Sequence, residues 1–79
     1  MKNEIWREYA NGNCILYTEE GELRDRITHS RAFRQHVRIR EMARYYQSAC
    51  HRRAYAWQYR VSADMLPQIQ KTSGVSRIG

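Results

Sequence analysis

The chain has 79 residues, room for one small domain around a single core, and its 42% apolar and 28% charged content is that of a folded protein. Fourteen Lys and Arg against eight Asp and Glu leave a net charge of +6, which favours an anionic partner. No apolar run approaches the roughly 18 residues that span a bilayer, and no charged-then-apolar leader opens the chain, so a cytoplasmic protein with no membrane partner is expected.

The first element in order is a hairpin. IWREYA, NGN and CILYT place a turn signal between two apolar segments, because Asn and Gly tolerate the positive φ that tight turns need. A three-residue Asn11-Gly12-Asn13 loop would pair Tyr9 with Ile15 and gather Ile5, Tyr9, Ile15 and Tyr17 on one side. Thr18 then reads as the N-cap of a short helix whose first turn holds Glu19, Glu20 and Glu22, where carboxylates meet the positive end of the helix dipole. Leu23 and Ile27, four apart, form its inward stripe, and the helix should end near His29 or Ser30.

The stretch from Arg31 to Arg53 supports two readings. As a helix over 31–50, Ile39, Met42, Ala43, Tyr46, Ala49 and Cys50 follow helical spacing with no Gly or Pro to interrupt. As strands, Val37 and Ile39 alternate with arginines, and Ala43 to Gln47 pairs with the aromatic segment beyond it through a loop over 48–53. The second is preferred, because that aromatic segment needs neighbours. Ala54 to Ser62 is the best strand in the chain: Tyr55, Trp57, Tyr59 and Val61 alternate with Ala54, Ala56, Gln58 and Arg60. Ser62 can cap a C-terminal helix, Met65, Leu66 and Ile69 are apolar at helical spacing, and Pro67 suits the first turn of a helix better than its interior.

The expected fold is therefore α+β, a small antiparallel sheet with two short helices in the favoured order ββαββα. One domain covers 1–71, and 72–79 is a flexible tail. An edge strand at Cys14 to Tyr17 or at Ala54 to Ser62 would allow a homodimer across a two-fold axis.

Candidate chemistry is sparse. His29, His36 and His51 invite acid-base work on a phosphodiester, but no second acid or base stands at a diagnostic spacing. Cys14 and Cys50 form no CxxC pair and look like small buried hydrophobes, although Cys50 precedes His51, Arg52 and Arg53; one disulfide is allowed on count alone. No phosphate-cradling glycine loop or metal-binding motif is present, so no catalytic residue, cofactor or metal is expected.

Arginine is the dominant signal. Arg31, Arg34, Arg38, Arg40 and Arg44, then Arg52, Arg53 and Arg60, come after an acidic first third containing Glu4, Glu8, Glu19, Glu20, Glu22 and Asp25. Tyr45, Tyr46 and Tyr55 are interleaved, a mixture suited to neutralising phosphates and stacking on bases. The expected interface comprises Arg34, Arg38, Arg40, Arg44, Tyr46, Arg52, Arg53 and Arg60. Arginines on a small domain also commonly face water or pair with nearby carboxylates. The expected function is binding of RNA or DNA; the alternative is a non-enzymatic inhibitor or adaptor of the phage or mobile-element type that docks on an acidic protein surface through the same residues.

Overall fold

A computed structural model describes residues 2–8, 11–35, 38–47 and 53–79. The chain is α+β, with a four-stranded, fully antiparallel sheet and its helices packed on one face. Strands β1 (Asn3–Arg7) and β2 (Cys14–Thr18) lead into helices α1 (Gly21–Thr28) and α2 (Arg31–Arg34). Strands β3 (Ile39–Tyr46) and β4 (Ala54–Val61) come next, then a 3-10 turn at Ala63–Met65 and helix α3 (Leu66–Ser73). The strands lie in the order β1-β2-β4-β3.

The aromatic strand thus sits in the interior of the sheet, and the residues before it form its neighbour. In the stretch whose spacing also fits a helix over 31–50, the described helix is the single α2 turn, capped where the Ser30 hydroxyl accepts from the Phe33 N–H at 3.3 Å. Ile39–Tyr46 is extended because β4 supplies a ladder and an apolar neighbour, Ile39 opposite Val61, and tertiary pairing overrides a moderate helical propensity. Val37, which also favoured the strand, lies outside the described residues, as does the Ala49-Cys50 end of the helical pattern.

The core lies between the sheet and the helices. Ile5, Cys14, Leu16, Ile39, Trp57, Tyr59 and Val61 come from the strands, and Leu23, Ile27, Met65, Leu66 and Ile69 from the helices. Leu16 and Tyr59 are fully buried and face each other across the β2–β4 ladder. Phe33 meets the Tyr59 ring edge-on at 5.9 Å, so the short α2 turn is pinned by one aromatic contact.

Four details differ from the sequence reading, each for a physical reason. The first hairpin pairs Arg7 with Cys14 and Ile5 with Leu16, and the Glu8 N–H donates to the Asn13 carbonyl at 2.8 Å. This register differs from the one that a three-residue loop at 11–13 would give, and Tyr9 lies outside the described residues. Ile5 joins Cys14 and Leu16 in the core, while Ile15 and Tyr17 turn to the opposite face with Trp6. Cys14, Ile15 and Leu16 are all buried, so the run of apolar residues in β2 does not reveal which face is the core.

Thr18 is the fully buried end of β2 and not an N-cap: its hydroxyl accepts from the Glu20 N–H at 3.0 Å and donates to the Asn3 side chain. The cap position lies two residues later, at Glu20, and helix α1 starts at Gly21. Next, β2 and β4 are interior strands, so the edges at Cys14–Tyr17 and Ala54–Ser62 expected to serve a homodimer do not exist. The actual edges are β1, where the Gly79 N–H donates to the Ile5 carbonyl at 2.8 Å, and β3, which carries arginines and an irregularity at Met42 that discourage edge pairing.

Finally, Tyr55 does not share the face of Trp57, Tyr59 and Val61. Tyr45 pairs with Ala56 but Tyr46 with Ala54, so Tyr55 is the extra residue of a β-bulge and swings outward to 47% exposure. At the C-terminus, Pro67 lies in the first turn of α3, Gly74 ends that helix at φ 74°, and Val75 and Ile78 pack on the core. The segment 72–79 therefore begins as the last turn of α3 and continues past β1.

Candidate nucleic-acid interface

The register divides the arginines and aromatics between the two sides of the sheet. On the helix-free face, cross-strand rows read Glu4, Tyr17, Gln58 and Ala43, then Trp6, Ile15, Arg60 and Arg40. Tyr45 stands beside Ala56 in the next row. Ala56 has no exposure, and its methyl group is small enough for rings from both neighbouring strands to close above it. Tyr17 of β2 and Tyr45 of β3 meet over β4 with centroids 6.1 Å apart, and Tyr55 continues the row at 6.5 Å from Tyr45.

Hydrogen bonds hold this shelf of tyrosines. The Tyr45 hydroxyl donates to Gln58 at 2.7 Å and the Tyr17 hydroxyl to Glu19 at 2.8 Å. That bond to Glu19, with burial second, pushes the Tyr17 pKa up to about 12. Tyr45 and Tyr55 remain 37% and 47% exposed.

The expected binding residues fall into three groups. Arg40 and Arg60 are direct cross-strand partners on the tyrosine face, and Arg60 donates through Nε to Glu8 at 2.7 Å. That contact first, and Asn11 second, lower the Glu8 pKa. Arg44, Tyr46 and Arg53 lie on the helix side, where they line a cleft of about 430 Å³ with Arg24, Ala54 and Trp57. Arg34 is exposed on α2, and Arg38 lies 3.7 Å from Asp64 near the 3-10 turn. Arg52 lies outside the described residues. The belt that is continuous in sequence is therefore distributed over both sides of the sheet, and within it Arg38, Arg44 and Arg60 have carboxylate neighbours.

Tyr46 points to the helix side with Arg44, whereas Tyr17, Tyr45 and Tyr55 form the open row. Tyr17 carries no mark in the sequence, because its place depends on the hairpin register. Tyr45 carries one: of two adjacent tyrosines in a strand, one must face away from the other. Arg24 is a further residue whose position only folding reveals; its guanidinium lies 4.6 Å from the centroid of Trp57.

Two of the residues considered for catalysis are among the described residues. One ring nitrogen of His29 lies 2.7 Å from the Asp25 carbonyl at the end of α1, and Cys14 is a buried free thiol in the core. His36, Cys50 and His51 lie outside the described residues. Among the described residues no cluster of His, Cys, Asp and Glu could hold a metal ion, and no helix is long and apolar enough to cross a membrane. Comparison with protein-family models, curated proteins and solved structures found no match.

Proposed function

We propose that the protein binds single-stranded nucleic acid on the helix-free face of its sheet. Tyr17, Tyr45 and Tyr55 stack on unpaired bases, and Arg40 and Arg60 approach the backbone phosphates. The observation that carries this reading is the row of three tyrosine rings within 6.1 and 6.5 Å of one another, two of them well exposed, beside a cross-strand arginine pair. Ring faces accept any base, and stacking needs bases that are not paired, so a single strand of low sequence preference is the matching ligand. The net charge of +6 supplies the long-range attraction. The protein is a binder and not an enzyme in this reading, and it works in a reducing, cytoplasmic setting where Cys14 stays a thiol.

Fluorescence anisotropy with labelled oligothymidylate and oligouridylate at low salt tests the proposal. Binding tighter than about 100 μM, weakened about tenfold or more by Tyr45→Ala or Tyr55→Ala, is the expected result. Weaker binding for both strands would remove the reading.

One observation favours a second reading. The same face carries Trp6, Ile15, Glu4 and Glu8, and Glu8 already occupies Arg60. Trp, Tyr and Arg on a charge-balanced surface also suit a protein partner, as expected of an inhibitor or adaptor. Competition decides between them: if Tyr55→Ala abolishes capture of a stoichiometric partner from nuclease-treated lysate while oligonucleotide binding is absent, the adaptor holds.

A further inference from the structure

The cleft on the opposite side of the sheet is a separate site. It is lined by Arg24, Arg44, Arg53, Tyr46, Ala54 and Trp57, so among the described residues three guanidinium groups enter it and no carboxylate does. Arg24 and Arg44 each already pair with one acid. Asp25 accepts from Arg24 Nε at 2.9 Å and lies 2.8 Å from its Nη2, while Glu41 accepts from Arg44 Nε at 3.3 Å and from its Nη2 at 3.1 and 3.2 Å. In both cases the acid occupies the Nε and Nη2 edge of the guanidinium fork, and Tyr46 is a further hydrogen-bond partner of Arg44.

The two forks are also fixed in place. Trp57, 5% exposed, supports Arg24 from below. The Met42 irregularity brings Glu41 and Arg44 onto the same side of β3, although three positions separate them. Glu41 first and Tyr46 second raise the Arg44 pKa. Arg53, one residue before β4, is exposed and has no ion-pair or hydrogen-bond partner among the described residues. The Tyr59 hydroxyl is buried without a hydrogen-bond partner among the described residues, and its pKa is raised by burial first, with Glu41, Arg24 and Arg44 close enough to contribute.

We propose that Arg24, Arg44 and Arg53 form a phosphate-binding cleft on the helix side of the β3–β4 hairpin, independent of the tyrosine face. Phosphate suits three converging N–H donors better than a carboxylate does, because its tetrahedral oxygens can meet donors from three directions. Two sources supply this group: free phosphate, or a phosphate at the end of a strand. Tyr45 and Tyr46 are adjacent and face opposite sides, so a strand leaving the tyrosine row at Tyr55 would reach the cleft by turning around the hairpin.

The test is an inorganic phosphate titration of ¹⁵N-labelled protein at constant ionic strength, tracking the arginine Nε–H signals. Saturable shifts at Arg24, Arg44 and Arg53, with Arg40 and Arg77 unmoved, are expected. Arg53→Ala should weaken that binding about tenfold, the size of one lost charge-assisted contact. Arg53 is exposed and outside the core, so this variant keeps the fold. Arg44→Lys, which retains charge but loses the fork, provides a second variant and should weaken binding in the same direction. Unsaturable shifts spread over all arginines would overturn the site.

A second arm compares an oligothymidylate with and without a terminal phosphate. Tighter binding of the phosphorylated strand that disappears in Arg53→Ala assigns the cleft to a strand end; equal binding, with inorganic phosphate still saturating, assigns it to free phosphate. Tyr55→Ala should leave the inorganic phosphate titration unchanged, so failure of the tyrosine face and failure of the cleft read out separately.

Discussion

The two faces of the sheet are made of similar residue types and do different work. The helix side buries Leu16, Tyr59, Val61 and Ile39 under α1, α2 and α3, and there even the large aromatic Tyr59 is fully enclosed. The opposite side has no helix over it among the described residues, yet it carries Trp6, Ile15, Tyr17, Tyr45 and Tyr55. In a chain this short, apolar surface left outside the core forgoes roughly 25 cal/mol per Å² of stabilisation, so an uncovered aromatic row is better explained by a ligand than by folding. In the proposed reading, the helix side supplies the stability and the helix-free side holds the nucleic-acid strand.

Leu16→Ala gives the largest expected effect that could break this contrast. It opens a cavity under a fully buried side chain and should cost about 3 kcal/mol in urea unfolding. A loss under about 1 kcal/mol would mean that the helices do not form the principal core. Next comes Tyr45→Ala on the open face, which should weaken oligonucleotide binding by about 1–3 kcal/mol while changing stability by about 0.5 kcal/mol or less. If unfolding moves as much as binding does, the two faces are not separable.

Tyr59 sharpens the comparison by pH. Burial first, and Glu41 second, push its pKa up to about 12 from the ordinary value of 10. The folded chain then keeps a proton that the unfolded chain releases. This contribution to stability is intact below about pH 10 and falls as pH rises toward 12, with a slope of about 1.4 kcal/mol per pH unit from this group. Because its hydroxyl is buried without a partner among the described residues, Tyr59→Phe should be neutral or stabilising by about 1 kcal/mol at neutral pH and should flatten the alkaline limb. Denaturant midpoints measured from neutral pH to pH 11 check both, and an unchanged alkaline limb in the variant would assign that loss to another group.

The smallest effect belongs to the Glu8–Arg60 pair, where Arg60 is half exposed. The Glu8 pKa is lowered in the folded state, so its contribution is present above the ordinary carboxylate range and is lost as pH falls through it. Glu8→Gln should leave neutral-pH stability almost unchanged yet free Arg60 for phosphate, tightening oligonucleotide binding modestly. Weaker binding would show that Glu8 orients Arg60 and does not compete for it.

The alternation of Trp57, Tyr59 and Val61 was enough to find the central strand, and the neighbour it needed favoured pairing at Ala43 to Gln47, part of a strand that runs over Ile39–Tyr46. Strict alternation failed at Tyr55, because a bulge inserts one residue and nothing in period-two counting marks where. The register of the first hairpin failed for a related reason: Cys14, Ile15 and Leu16 are all buried, so the apolar pattern did not distinguish the core side from the tyrosine side. The arginine belt was legible as composition but not as a surface, since β3 sends Arg40 to one side and Arg44 to the other.

The central claim is that ligand meets the helix-free face. An NMR titration with a short single-stranded oligonucleotide measures it directly, through the ring signals of Tyr17, Tyr45 and Tyr55. Saturable shifts of those rings and of Arg40 are expected, with the signals of Leu23, Ile27 and Ile69 unmoved. Shifts confined to the helices, or a dissociation constant weaker than about 100 μM at low salt, would contradict it.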